Sequence, residues 1–326
     1  MNRLKVPGGL NLAVTGLALL VSLFALWLGS RSIHALNEHS WGWMGLLVAA
    51  VVFAFSNNTL FSLLHESVHG VFHDDKKINY MAGVLCAAMF PTGYAIQRVS
   101  HIGHHKRNRT DLELYDYYLP GQSKWLKTYW LYCLLTGFYW AIIPVGCLIF
   151  LVFPWAFASR AFQRGPARWW GFELFVRDIA EQGKLRVWSE LLFVASFQTA
   201  LWFLLELNWA GWLICYWSFG LVWSATQYVI HAWTVRSVRD GAWNLSVNPI
   251  VRAIFLNYHL HLAHHRNPNV PWLYAPQYVG LNETRPTFWS IYFSLWGGAR
   301  PAPPGAGPEP LELSAETLDV SGIGGE

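Results

Sequence analysis

The sequence predicts an all-α polytopic integral membrane protein of about four transmembrane helices. Re-entrant or interfacial helices lie beside them, with a histidine-rich two-metal site at their cytoplasmic end. Three observations predict this. The 326 residues are 54% hydrophobic and only 13% charged, about half the charge of a soluble domain. Uncharged apolar runs long enough to cross a bilayer recur along the chain. Nine of the 13 histidines fall into boxes with helical spacing. The composition excludes a disordered chain, a nucleic-acid-binding domain and an ordinary soluble enzyme. Its 17% aromatic content suits a protein with many residues at headgroup level.

The first span, near 10–29, is 20 residues without a charge. It follows Arg3 and Lys5 and exceeds a signal-peptide core, so it reads as a retained anchor. The second lies near 43–64 and carries the polar cluster Asn57, Asn58 and Thr59. The third and fourth, near 188–207 and 209–230, are parted by little more than Asn208, which predicts a tight helical hairpin. Tyr80–Ile96 is shorter and is interrupted at Pro91-Thr92-Gly93. Tyr129–Phe157 is too long for one untilted crossing and too short for two. Pro144 and Gly146 break it, predicting an embedded hairpin near 129–157. Residues 1–300 thus form one membrane-embedded domain. Residues 301–326, Pro/Gly-rich and then acidic, predict a disordered tail.

Charge predicts the orientation. Five of the 19 acids (Glu309, Glu312, Glu316, Asp319, Glu326) lie in the tail, leaving 14 against all 23 basic residues over 1–300. With an internal N-terminus, Arg31 alone of the Lys and Arg falls outside, which places both termini and the histidine boxes on the cytoplasmic side. Cys86, Cys133, Cys147 and Cys215 sit in apolar stretches without CxxC spacing, which argues against a disulfide framework or a thiolate metal site.

His65 and His69 form HxxxH at the end of the second span. His101, His104 and His105 form HxxHH, as do His261, His264 and His265; His231 ends the fourth span. Residues i, i+3 and i+4 share a helix face, so each box aims its imidazoles at one point. Nine neutral imidazoles exceed the needs of one tetrahedral zinc and match two metals with open positions, Zn, Cu, Fe or Ni by ligand type. His34, His39, His73 and His259 read as solvated residues. His65-Glu66-Ser67-Val68-His69 also fits HExxH, the motif of a zinc protease, but a membrane protease would leave six or more histidines idle. In the preferred reading Glu66 orients a ligating imidazole. A metal transporter would place its ligands near mid-bilayer on broken helices, not beyond one end of the spans.

The order of boxes over about residues 40–280 resembles the membrane fatty acid desaturase and hydroxylase superfamily. His264-His265-Arg266-Asn267-Pro268-Asn269-Val270-Pro271-Trp272 is similar to its third-box signature, and His69-Gly70 and Asn108-Arg109-Thr110-Asp111 also fit. The resemblance implies two non-haem Fe ions, O2 as oxidant and a lipid acyl substrate carried as acyl-CoA, acyl carrier protein or phospholipid. It implies His65, His69, His101, His104, His105, His231, His261, His264 and His265 as iron ligands. Gln227, four residues before His231, stands where related desaturases place an asparagine that holds iron through water. Asn257 bears the same relation to His261, and with Asp111 and Glu66 completes the candidate supporting groups. Asn58, seven residues before His65, would line the substrate tunnel or bond between helices. The chain has no CxxC pair and no GxGxxG, so electrons would come from a separate ferredoxin, rubredoxin or cytochrome. Desaturation leads; hydroxylation, ketolation and alkene-forming decarboxylation start from similar boxes.

Overall fold

The computed structural model describes residues 4–36, 41–155, 159–168 and 173–311. Helices α1 (Gly8–Ala35) and α2 (Trp41–Val68) each run 28 residues, about 42 Å, so they exceed a hydrocarbon core of about 30 Å. The excess lets the first box emerge beyond the apolar layer. From Asn57 to Val68 every α2 side chain is buried, whereas α1 keeps Leu17 and Leu20 about two-thirds exposed, as a helix facing lipid does.

Two shorter helices follow, α3 (Lys76–Met89) and α4 (Tyr94–Arg107). Asp75 caps α3 by accepting the N–H groups of Lys77 and Ile78. The Pro91-Thr92-Gly93 break falls between the two helices, as the sequence predicts. The two-residue strand β1 (Tyr117–Tyr118) precedes α5 (Lys124–Leu135) and α6 (Phe138–Val152).

The embedded hairpin is here a bent pair: α5 and α6 meet at 87°. The bend lies at Thr136-Gly137, not at Pro144, which sits inside α6. Gly137 adopts φ 88°, and a Cβ there would lie 2.9 Å from the Leu221 backbone nitrogen, so only glycine makes this corner.

Next come a short turn of helix, α7 (Arg160–Phe162), the amphipathic α8 (Glu173–Glu181), α9 (Lys184–Leu204) and α10 (Trp209–Val229). Asn208 caps α10 at the expected hairpin. α11 (Pro249–Ile254), α12 (His261–Arg266), α13 (Phe288–Leu295) and β2 (Arg300–Pro301) follow, with a π-helical turn at Gln163–Ala167 and a 3-10 turn at Ala275–Tyr278 between the longer elements.

α1, α2 and α9 are long and apolar enough to cross a membrane, and the bent pair can supply a fourth crossing. α10, the expected fourth span, is as long as α9 and uncharged. Its Trp209, Trp212, Trp217 and Trp223, with Ser, Thr and Gln, keep its mean hydropathy below that of the three.

α1, α2 and α10 pack side by side around Phe53, Tyr216 and Phe219, whose rings meet edge to face. Side-chain bonds fix both ends of α1. Asn11 Nδ2 donates to the Phe72 carbonyl at 2.8 Å, and Ser30 Oγ accepts the Asn208 N–H at 3.0 Å. The start of α1 therefore lies with the end of α2, and its far end lies with the start of α10. The histidine-bearing ends of α2 and α10 consequently share one end of the assembly.

Two expectations need correction. Residues 301–311 are not featureless: β2 pairs in parallel with β1, and Leu311 N–H donates to the Lys106 carbonyl at 2.9 Å. Residues 312–326 lie outside the described residues. His259 is buried rather than solvated, since the Leu245 N–H donates to its carbonyl and folds the chain over it. His34 is exposed as expected, His73 is half-buried rather than fully solvated, and His39 lies outside the described residues. All four cysteines are free and buried.

Candidate metal centre

Box spacing and helix ends build the site together. His65 occupies the last turn of α2 and His69 follows it; His101, His104 and His105 end α4; His231 follows α10; α12 consists largely of the third box. All nine rings come together, in two groups. His65, His69, His101, His105 and His264 form one; His104, His231, His261 and His265 form the other. Within each group the candidate ligand atoms lie within 4.8 Å of one another.

In the first group the ε nitrogens form a chain. His69 to His101 is 2.8 Å, His101 to His105 is 3.0 Å, His105 to His264 is 2.9 Å and His264 to His65 is 3.0 Å. In the second, His104 Nε2 lies 3.1 Å from His231 Nε2. Nitrogens set at right angles about a metal, each at about 2.1 Å, stand about 3.0 Å apart. The spacings between the rings match that edge. His105 and His265, one from each group, bring their ring centres to 4.3 Å, so the groups adjoin.

Burial first, and then the neighbouring rings, hold His69, His101, His105, His231, His261, His264 and His265 well below the ordinary imidazole range. The rings therefore stay neutral and keep a lone pair for a cation. His261 Nδ1 and His265 Nε2 are buried without a hydrogen-bond partner, a cost that coordination would relieve wherever such an atom faces the metal. The donor set is imidazole throughout, which suits Fe, Zn, Cu or Ni and not Mg or Ca. The residues present fit two such ions.

The supporting residues are placed differently from expectation. Glu66 Oε2 accepts the Trp272 N–H at 2.9 Å, while Oε1 stands 3.8 Å from His65 Nδ1, beyond hydrogen-bond reach. Gln227 Oε1 accepts the Tyr258 hydroxyl at 2.8 Å. Tyr258 in turn packs its ring 5.0 Å from both His65 and His261.

Asn257, at φ 59°, donates to the Trp272 carbonyl and accepts from Arg252 Nε, and so serves the third-box turn. Asp111 is exposed and pairs with Arg236, away from the rings. Asn58 Nδ2 donates to the Ala54 carbonyl of its own helix at 2.7 Å.

Sequence reasoning missed Glu113, whose Oε2 lies 2.7 Å from His104 Nδ1. It also missed the Gly241 carbonyl, 2.8 Å from His231 Nδ1. An acid two positions beyond Asp111 was the only signal for the first, and a backbone carbonyl leaves none. A narrow cavity of about 20 Å³, room for about one water, touches His65, His261 and His264 and is walled by Ser62, Tyr258 and Trp272.

The sequence profile described as fatty acid desaturase matches residues 41–296, a stretch that contains all nine rings. No individual curated protein matches the chain.

Proposed function

Because the chain belongs to the fatty acid desaturase family, we propose that it is an O2-dependent di-iron oxidoreductase that introduces a C=C bond into a lipid acyl chain. One observation carries this reading: two adjoining imidazole-only groups whose ε nitrogens stand 2.8–3.1 Å apart. His65, His69, His101, His105 and His264 hold one iron, and His104, His231, His261 and His265 hold the other. When bound, the iron pair supplies with O2 an oxidant strong enough for an unactivated methylene, which side chains cannot provide.

The protein's own part is placement. The α2 and α4 ends carry five of the rings and the third box supplies three more, and Tyr258 and Trp272 wall the narrow space beside His65 and His264. So little room beside the rings supports a reactive site that excludes bulk water. The acyl tail reaches it from lipid between the spans, and cytoplasmic basic residues hold its head. A separate electron carrier (ferredoxin, rubredoxin or cytochrome) docks on that basic face.

Two observations favour this reading over the alternatives. In a zinc peptidase of the HExxH type the glutamate activates water, but Glu66 is committed to the Trp272 backbone. A transporter would need ligands at mid-span, and these rings gather at helix ends.

The test is expression in a host of defined lipid composition, followed by lipid profiling and metal analysis. About two Fe per chain and new unsaturated acyl chains are expected. Hydroxylated lipids or terminal alkenes would move the reaction to hydroxylation or decarboxylation, and one Zn with peptide cleavage would overturn the oxidase reading.

A further inference from the structure

The loop that leaves the second box turns back beneath it. Thr110 Oγ1 donates to the Arg107 carbonyl at 2.6 Å, and the Glu113 N–H donates to the Thr110 carbonyl at 3.1 Å. This brings the Glu113 carboxylate to 2.7 Å from His104 Nδ1. A second contact holds the carboxylate there: Arg107 Nε lies 3.4 Å from Glu113 Oε1, while Arg107 Nη1 donates to Asp178 of α8 at 3.0 Å.

Arg107 can reach both acids only by folding back over its own helix. A Cβ at Gly103 would stand 2.0 Å from Arg107 Nη2 and 2.8 Å from its Cζ. The glycine between the histidines of the second box is therefore the space that the guanidinium occupies. The same loop steadies the neighbouring ring. Asn108 Nδ2 donates to the Gly241 carbonyl at 3.1 Å, and that carbonyl also lies 2.8 Å from His231 Nδ1.

We propose that Glu113 is a positioning residue for the four-histidine group, held on His104 by Arg107 in the space that Gly103 leaves. Accepting the Nδ1–H fixes the His104 tautomer and aims Nε2 at the same point as His231 Nε2. The five-histidine group has no such carboxylate among the described residues, since the nearest, Glu66, is spent on Trp272. The two metal sites therefore differ in how firmly one ligand is held, and loss of Glu113 acts on one of them.

This inference rests on the di-iron reading, and the experiment separates the two. Wild type, E113A, E113Q and G103A are purified in detergent, loaded with iron, challenged with a chelator, and read by iron content and Mössbauer spectrum. A wild type that holds no iron overturns the di-iron reading itself.

If wild type is loaded, E113A is expected to lose one spectral component while keeping the other, with iron affinity at that component down about 10–100-fold. E113Q, whose amide oxygen still accepts the ring N–H, is expected to keep both components with one of them shifted. G103A is expected to behave as a weaker E113A, because its methyl displaces Arg107. Retention of both components unchanged in E113A overturns the proposal, as does equal loss of both, which marks general destabilisation. Should E113A fail to fold, E113Q and G103A decide: a change confined to one component supports the proposal, and no change, or equal change in both, overturns it.

Discussion

Glu66 and Trp272 lie 206 positions apart, yet the Glu66 carboxylate accepts the Trp272 backbone N–H at 2.9 Å. Trp272 also donates its indole N–H to Asn11 at 2.9 Å and accepts from Asn257 at 3.0 Å. One residue thus fastens α1, α2 and the turn after the third box. E66A should destabilise the fold by about 1–3 kcal/mol, whereas E66Q, whose amide oxygen accepts the same N–H, should keep most of the turnover. A peptidase base would not survive the Gln change, so lipid turnover by E66Q against E66A is the measurement.

His104 and His264 belong to different groups. His104→Ala and His264→Ala should each reduce lipid oxidation by at least about 10²-fold and leave membrane insertion intact. His34, exposed near the far end of α1, should tolerate Ala without change. Product formation in membranes matched for protein content checks all three.

Because seven of the rings are held well below the ordinary imidazole value, they are already deprotonated at neutral pH. The sign follows: metal uptake at pH 7 should release almost no protons, and proton competition should appear only as the pH falls well below the ordinary value of about 6.5. Calorimetric titration of metal into stripped protein, in buffers of different ionisation enthalpy, measures the count. Release of several protons per metal at pH 7 would sink this expectation.

Asp116 is completely buried and accepts from Arg109 Nη1 at 2.8 Å, the Tyr228 hydroxyl at 2.7 Å and the Trp233 N–H at 2.7 Å. D116A leaves the Arg109 guanidinium buried beside an empty partner position, which should cost about 3–5 kcal/mol. Thermal unfolding in detergent, compared with wild type, reads the loss.

The basic excess over 1–300 should steer an acidic carrier to the ligand-bearing face. Raising salt from low to physiological strength, where the screening length shrinks to about 8 Å, should slow electron delivery measured by stopped flow. A salt-independent rate would remove the electrostatic docking idea.

What could be read from the residues alone follows from the range of the forces involved. The box at His101, His104 and His105 was visible because i, i+3, i+4 spacing is a local property of a helix. The α5–α6 corner was not. Its cause is Gly137 lying against the Leu221 backbone, a contact 84 positions away in sequence, and the nearer Pro144 drew the break instead. Glu66 and Gln227 are residue types able to support a ligand, but their partners, Trp272 and Tyr258, are set by tertiary packing. Glu113 gives no signal of its own, because nothing in a short acidic loop says which carboxylate turns inward. Residues 301–311 lack apolar periodicity, yet Pro301 and Ala302 pair with Tyr118 and the Leu311 N–H reaches the Lys106 carbonyl, and such backbone bonds leave no side-chain pattern.

The division of the rings into two sets has a consequence for biogenesis. One set takes four imidazoles from the first third of the chain and closes with His264; the other takes His104 and waits for His231, His261 and His265. The first set is complete only once residue 264 has been made and the second only once residue 265 has, by which time α1 and α2 have long been made. Under the proposed di-iron reading, full metal loading would therefore follow synthesis of the third box, and a chain stopped before it would present only part of each imidazole set.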